Sequence, residues 1–164
     1  PINKAAYVTG TALLAQGNTT FMAGVSAACI APPLITGFAT LLFGKYFDTN
    51  DRNAGLVNFI LGSTHITEGA IPFAAKDPIR VLPTMMLGSS IAAVLTYMFG
   101  VQVPAPHGGF LVLPVVTGKW QWVLSILIGS IVGGVILGLI QKSSVAAKEK
   151  KENAEATGKS AIVE

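Results

Sequence analysis

Hydrophobic positions in this chain of 164 residues run in long stretches that contain no charged side chain. Such stretches extend over residues 5–44, 81–118 and 120–141. A helix that crosses a bilayer needs about 20 predominantly apolar residues. The pattern therefore predicts three transmembrane helices, at about residues 21–43, 81–101 and 120–142.

Two further apolar segments, residues 55–78 and 103–114, do not read as ordinary spans. The first carries Asn58, His65 and Glu68, and the second has only about half of the length that a span needs. Non-helical backbone at membrane depth survives only where it is buried in protein or lines a wet cavity. We therefore predict two re-entrant hairpins, and the fold class is all-α integral membrane with about three transmembrane helices.

Proline and glycine modify two of the predicted spans. Pro32 and Pro33 lie in the middle of the first span, where proline removes a backbone donor and frees a carbonyl. This helix should therefore be kinked and packed among neighbours that satisfy the freed carbonyls. Gly129 and Gly133 form a GxxxG pair in the last span, which either permits close helix approach or reflects the abundance of glycine in such helices.

The ends of the chain differ in character from its middle. Residues 3–20 are small and polar, and they either end a helix or form a loop. We predict one domain over residues 1–142 and a polar tail over residues 143–164 that we expect to be disordered. Lysines follow the last span directly, so the positive-inside rule places this tail in the cytoplasm.

Composition narrows the class of protein. Charged residues are 12% and hydrophobic residues 51% of the chain, and the mean hydropathy is +0.61. These values exclude a disordered chain and argue against a soluble enzyme. The chain has no basic stripe with interleaved aromatic residues, so the sequence does not predict a nucleic-acid partner. The single cysteine, Cys29, excludes an internal disulfide and a cysteine zinc site, and we expect neither a metal nor a cofactor.

Glu68 is the leading candidate for a functional residue. An acidic side chain at the middle of a membrane costs at least about 2.5 kcal/mol, so it indicates a function by default. Gly69 follows it and lets the backbone approach a ligand, while its carboxylate suits hydroxyl donors such as those of sugars. The alternative is a structural hydrogen bond within the helix bundle.

Other polar residues accompany Glu68 in the two interrupted segments. His65 shares a face with Glu68 if this part is helical, and His107 lies in the second segment. Asp77 and Arg80 should form a salt bridge at the exit of the first hairpin. We predict no catalytic residue, and the candidate substrate-binding residues are Glu68, Thr67, His65, His107, Gly69 and Asn58.

The segment GSTHITEGAIPFAAKDPIRVLP, residues 62–83, resembles the signature of a known membrane family. This family is the fructose-type permease domain, enzyme IIC, of the bacterial phosphoenolpyruvate-dependent sugar phosphotransferase system. Three more blocks, at residues 3–18, 31–43 and 105–114, resemble the family in the same order. The resemblance covers residues 1–119 and corresponds to the C-terminal half of the permease domain.

The resemblance implies a multi-pass protein of the bacterial inner membrane that works as a homodimer among lipids. It would translocate fructose or a related hexose together with the rest of the IIC domain. A IIB partner domain with a phosphocysteine would phosphorylate the sugar on the cytoplasmic side. In the family the acidic residue of the first hairpin binds the sugar, which implies Glu68 with Thr67 here, and a histidine that is His107 or His65.

Two other interpretations of the chain stay open at this point. The resemblance implies a part of a phosphotransferase complex that does not itself carry the phosphoryl group, because Cys29 lies in an apolar helix and cannot serve as the phosphocysteine. It could instead be a truncated structural or regulatory membrane module without turnover. It could also be a stand-alone secondary transporter, although a second inverted half is missing.

Overall fold

The computed structural model describes the backbone of residues 2–160 and the side chains of residues 5–150. Helices make up most of this range, and within it there is no strand, only an isolated antiparallel bridge between Gln102 and Thr117. The helices are α1 (Ile2–Ala15), α2 (Thr19–Leu42), α3 (Thr49–Ser63), α4 (Ile71–Lys76), α5 (Pro78–Met98) and α6 (Lys119–Ser160). Short 3₁₀ turns occur at Gly44–Tyr46, Thr67–Ala70 and Gly109–Val115.

Three helices, α2, α5 and α6, are long and apolar enough to cross a membrane. The predicted all-α membrane fold is therefore confirmed. Two of these helices start a few residues earlier than predicted because polar side chains cap them. Asn18 accepts a hydrogen bond from the Phe21 backbone N–H, and Asp77 accepts one from the Arg80 backbone N–H, both at 3.3 Å.

The two ends of the chain are more helical than the sequence indicated. Residues 3–20, for which the sequence allows a helix end or a loop, include most of α1, a turn at Gly17 with a φ of +87°, and the first two residues of α2. Helix α6 continues past Lys142 to Ser160, so the tail that we expected to be disordered is helical as far as that residue. Its Ala, Lys and Glu residues are strong helix formers, which accounts for the difference; residues 161–164 lie outside the described range.

Helix α2 is the centre of the bundle. It contacts α1, α3, α5 and α6, and most of its side chains are buried. Pro32 and Pro33 both lie inside the continuous helix and are buried. The predicted packing of this proline-containing helix is therefore confirmed, while its kink stays a prediction.

Glycines allow α6 to approach α2 and α5 closely. A Cβ atom added at Gly129 would lie 2.5 Å from the Gly88 carbonyl oxygen and 2.8 Å from the Ala92 Cβ of α5. A Cβ atom added at Gly133 would lie 2.8 Å from an Ile35 side-chain carbon of α2. Of the two interpretations of the GxxxG pair, the structure therefore supports close helix contact.

The first hairpin consists of α3, the tip at residues 64–70, and α4. Helix α3 runs antiparallel to α2, since Gly55 packs on Thr40 near the end of α2 and Gly62 packs on Leu34 and Pro33 nearer its middle. The tip therefore reaches the middle of α2 and does not pass along its whole length. This is the geometry expected of a re-entrant hairpin.

The second hairpin, residues 101–118, approaches from the opposite end of the bundle. Its bridge between Gln102 and Thr117 lies beside the start of α2, where the Val103 N–H donates to the Thr19 carbonyl oxygen at 3.3 Å. Gly109 lies at the other end of this hairpin, against the Ser63 carbonyl oxygen at the end of α3. The two hairpins thus enter from opposite ends and meet inside the bundle.

The close contact of α5 with α6 leads to a test of the fold. Gly129→Val should lower the free energy of unfolding by about 1–3 kcal/mol, because the added methyl groups overlap the Gly88 carbonyl. Ile131→Val is the matched control, since Ile131 is 42% exposed on the same helix and should change little. Unfolding in mixed detergent micelles measures both, and equal stabilities of the two variants would contradict the packing.

Candidate functional site

Asn58 anchors the tip of the first hairpin to α2. Its side chain is 2% exposed, and its amide NH₂ group donates to Thr36 Oγ1 at 2.8 Å and to the Gly69 carbonyl oxygen at 2.9 Å. Gly69 is required here, because an added Cβ atom would lie 2.2 Å from Asn58 Oδ1. The predicted ligand residue Asn58 thus lies behind the tip and holds its backbone.

Thr67 makes the second connection between the tip and α2. Its hydroxyl group donates to the Cys29 carbonyl oxygen at 3.1 Å. In an α-helix this carbonyl accepts from the N–H four residues later, which is the position of Pro33. Because Pro33 has no N–H, the Cys29 carbonyl is free to accept from the hairpin. Thr67 therefore satisfies a carbonyl that the proline leaves open.

Glu68 lies between these two anchored residues. Its side chain is exposed, while its neighbours Thr67 and Gly69 are fixed to α2 and to Asn58. Thr67 contacts Cys29, which lies near the middle of α2 along the chain. The backbone on both sides of Glu68 is thus anchored near the middle of α2, while the Glu68 side chain is exposed.

His65 occupies a turn, not a helix, before Glu68. Its φ is +70°, and its side chain is 5% exposed. The expected sharing of a helical face between His65 and Glu68 therefore does not occur. The turn closes the end of α3 as a Schellman motif, in which the Ile66 N–H donates to the Leu61 carbonyl oxygen at 2.9 Å and the His65 N–H to the Gly62 carbonyl oxygen at 3.0 Å. Gly109 packs against this turn, since a Cβ atom there would lie 2.7 Å from the His65 backbone nitrogen.

His107 joins the two hairpins at this turn. The Nδ1 atoms of His65 and His107 lie 3.0 Å apart and share a hydrogen bond. His107 itself is exposed, and the Tyr7 ring of α1 packs beside it with ring centroids 5.9 Å apart. The structure thus brings together both predicted histidines, of which His107 is the accessible one.

The base of the first hairpin, where α3 begins and α4 ends, carries the ion pairs. Lys76 binds Asp48 at 3.1 Å and also pairs with Asp51 across the base. The Asp51 backbone N–H, and then the Lys76 ammonium group, hold the pKa of Asp48 below its usual value. Arg80 pairs with Asp77 at 3.2 Å, as predicted, and this pair lies at the hairpin exit, away from the tip.

A cavity of about 430 Å³ also lies at this base, between α4, α5 and α6. We base the candidate site on the tip instead. The cavity's Lys76 and Arg80 are engaged in ion pairs with aspartates, whereas Glu68 is held by backbone anchors and is open. Among the residues that the structure describes, no cluster of His, Cys, Asp or Glu could hold a metal ion.

Three groups that contact the predicted site residues could not be identified from the sequence. Thr36 of α2, the Cys29 carbonyl and Tyr7 of α1 all contact predicted residues, but they lie far from them along the chain. Pro33 indicated from the sequence that one helix carbonyl would lack its usual backbone N–H donor. It did not indicate which residue would supply the hydrogen.

Comparison with known proteins places the chain beside sugar permeases. It is 44% identical over 142 residues to the fructose permease IIC component of Bacillus amyloliquefaciens. It is 42% identical over 142 residues to the fructose-specific EIIABC component of Bacillus subtilis, and 40% identical over 149 residues to the fructose-specific EIIB'BC component of Vibrio cholerae. No family model and no solved structure matches it.

The chain spans less than half of the length of these relatives. The alignments cover 87% of the chain for both Bacillus proteins and 89% for the Vibrio protein. They cover 46%, 22% and 26% of the B. amyloliquefaciens, B. subtilis and V. cholerae proteins, respectively. Fructose-specific relatives thus align with most of the chain, and three of its helices are long and apolar enough to cross a membrane. The chain belongs to the fructose-type permease (IIC) family of sugar phosphotransferase systems.

Proposed function

We propose that this chain is the hairpin-bearing C-terminal half of a fructose-type IIC permease domain. It binds fructose or a related hexose and carries it across the membrane together with the rest of the domain. The observation that carries this proposal is the open carboxylate of Glu68. It is fixed at the middle of a membrane bundle, where a charge is costly unless it serves a ligand.

The chemistry at the tip suits a sugar. A carboxylate accepts hydrogen bonds from hydroxyl groups, and His107 offers a ring nitrogen on the neighbouring hairpin. Glu68 stands on a short 3₁₀ turn between α3 and α4, and His107 stands on a bend outside the helices; transporters hold their substrates at such interruptions of helices. Gly69 and Asn58 keep the backbone at Glu68 in position, so they support the ligand site from behind.

Phosphorylation of the sugar falls to a partner in this proposal. Cys29, the single cysteine of the chain, is buried in α2 and does not meet the exposed, electropositive setting of a reactive thiolate. The Vibrio relative is named as an EIIB'BC component, which supports a IIB domain as phosphoryl donor. A homodimer in the bacterial inner membrane completes the proposed assembly.

The orientation of the chain follows from its charges. Lys142 and the lysines after it lie beyond the apolar part of α6, at the same end of the bundle as the base of the first hairpin. We therefore propose that this end and the C-terminus are cytoplasmic. The first hairpin then enters from the cytoplasm and the second from the outside, and Glu68 lies between them.

Replacing Glu68 in the complete permease tests the sugar site. Glu68→Gln keeps the size of the side chain but weakens its charge-assisted hydrogen bonds, so uptake of labelled fructose should fall by roughly tenfold or more. Cells without a fructose permease of their own provide the background. Sugar inside the cells is separated into free and phosphorylated forms.

Glu149→Gln is the matched control for this substitution, because Glu149 lies on the polar part of α6 and is exposed. It should leave uptake unchanged, and both variants should insert into the membrane in equal amounts. Normal uptake by Glu68→Gln would disprove the site. Free sugar inside cells that carry the unaltered protein would point to a secondary transporter, and a lack of any uptake would point to a module without turnover.

The bond between Thr67 and the Cys29 carbonyl leads to a second test. Thr67→Val should weaken fructose binding by roughly three- to tenfold, because one hydrogen bond that fixes the tip is lost. Thr67→Ser keeps the hydroxyl group and should bind within about twofold of the unaltered permease. Isothermal titration of the purified permease with fructose measures these affinities.

The same test can be repeated in a Pro33→Ala background. Alanine restores an N–H at position 33, which can bond the Cys29 carbonyl within α2. Thr67→Val should then have a smaller effect than it has beside Pro33. Equal effects of Thr67→Val in the two backgrounds would show that the proline and the threonine are not coupled.

A further inference from the structure

The two histidines at the contact between the hairpins differ in their surroundings. Their Nδ1 atoms are 3.0 Å apart, and their rings meet edge to face with centroids 4.7 Å apart. His65 is 5% exposed, whereas His107 is exposed. His65 is therefore part of the core, whereas the side chain of His107 is exposed.

A hydrogen bond between two Nδ1 atoms fixes how protons are distributed. One ring must donate through Nδ1–H, and the other must accept through a bare Nδ1. A neutral imidazole carries a single N–H, so a ring that accepts through Nδ1 carries its proton on Nε2. The direction of this one bond therefore decides which nitrogen of His107 is protonated.

The burial of His65 selects between the two directions. Its Nε2 atom is buried and has no hydrogen-bond partner among the described residues. If His107 donated, the His65 proton would sit on Nε2 as a buried N–H without an acceptor, and such groups are rare because they are costly. If His65 donates, its proton lies on Nδ1, in the bond, and Nε2 is bare.

We propose that His65 is a positioning residue that holds His107 in the Nε2–H form. His65 donates to His107 Nδ1, so the exposed ring of His107 presents an N–H donor beside the hairpin tip that carries Glu68. The Tyr7 ring packs beside the same ring, with centroids 5.9 Å apart. This inference rests on the proposed sugar site. It adds a donor, the Nε2–H of His107, to the acceptor that the Glu68 carboxylate supplies.

The pairing of donor and acceptor has a consequence for recognition. A sugar hydroxyl group both donates and accepts, so Glu68 accepts from one hydroxyl while His107 donates to an oxygen of the same sugar. A ligand without an acceptor oxygen for the Nε2–H of His107 would leave this donor unpaired. His65 therefore contributes to specificity without touching the ligand.

The form of His107 can be measured directly. Solid-state NMR of the complete permease, labelled with ¹⁵N-histidine and reconstituted in lipid at neutral pH, separates protonated from bare ring nitrogens. Spectra of His65 and His107 variants assign the signals. We expect a protonated Nε2 and a bare Nδ1 in His107 of the unaltered protein. A protonated Nδ1 and a bare Nε2 in His107 would overturn the proposal.

Two substitutions at position 65 separate the effect of the side-chain donor from that of the backbone conformation. Asparagine and glycine both accept the positive φ at position 65. The Asn Nδ2 atom occupies nearly the position of His Nδ1 and donates as well, whereas glycine offers no donor. His65→Asn should keep the Nε2–H form of His107 and bind fructose within about twofold of the unaltered permease. His65→Gly should lose the fixed form and weaken binding by roughly three- to tenfold.

The outcomes distinguish this proposal from the function on which it rests. An unchanged His107 spectrum in the His65→Gly variant would contradict the role of His65, as would equal fructose affinities of the Asn and Gly variants. Fructose binding that survives Glu68→Gln would instead contradict the sugar site. The spectrum of the unaltered protein would still report the His107 tautomer in that case.

Discussion

The hydrogen bond from Thr67 to the Cys29 carbonyl is the interaction on which the site depends. Proline at position 33 removes the helical donor for this carbonyl, and the middle of a bilayer offers no water to replace it. The tip of the first hairpin supplies the missing hydrogen at 3.1 Å. A helix defect and a re-entrant hairpin thus stabilise each other, and Glu68 follows directly after the residue that makes the bond.

Close packing of the helices and hairpins holds this local arrangement in place. Glycines let α6 approach α5 and α2 until backbone atoms nearly touch, and Asn58 ties the hairpin backbone to Thr36. The second hairpin then meets the first at Gly109, where no side chain fits against Ser63. The two polar groups of the proposed sugar site, from Glu68 and His107, are held on hairpins that fix each other.

Much of this architecture could be predicted from the sequence. Charge-free stretches gave the three spans, and glycine, proline and polar residues marked both hairpins and the candidate residue Glu68. The pairing of His65 with His107 could not be predicted, because it joins side chains 42 residues apart in the chain, one from each hairpin. The helical tail to Ser160 was missed because its charge indicated solvent exposure, while its Ala, Lys and Glu residues favour a helix.

In the proposed site, Glu68 binds the sugar where the two hairpins meet. A structure of the complete permease with fructose bound, determined in lipid, would show the partners of Glu68. We expect a sugar hydroxyl within about 2.5–3.0 Å of a Glu68 carboxylate oxygen, with His107 on the same ligand. A sugar bound elsewhere, with Glu68 paired only to protein groups, would contradict it.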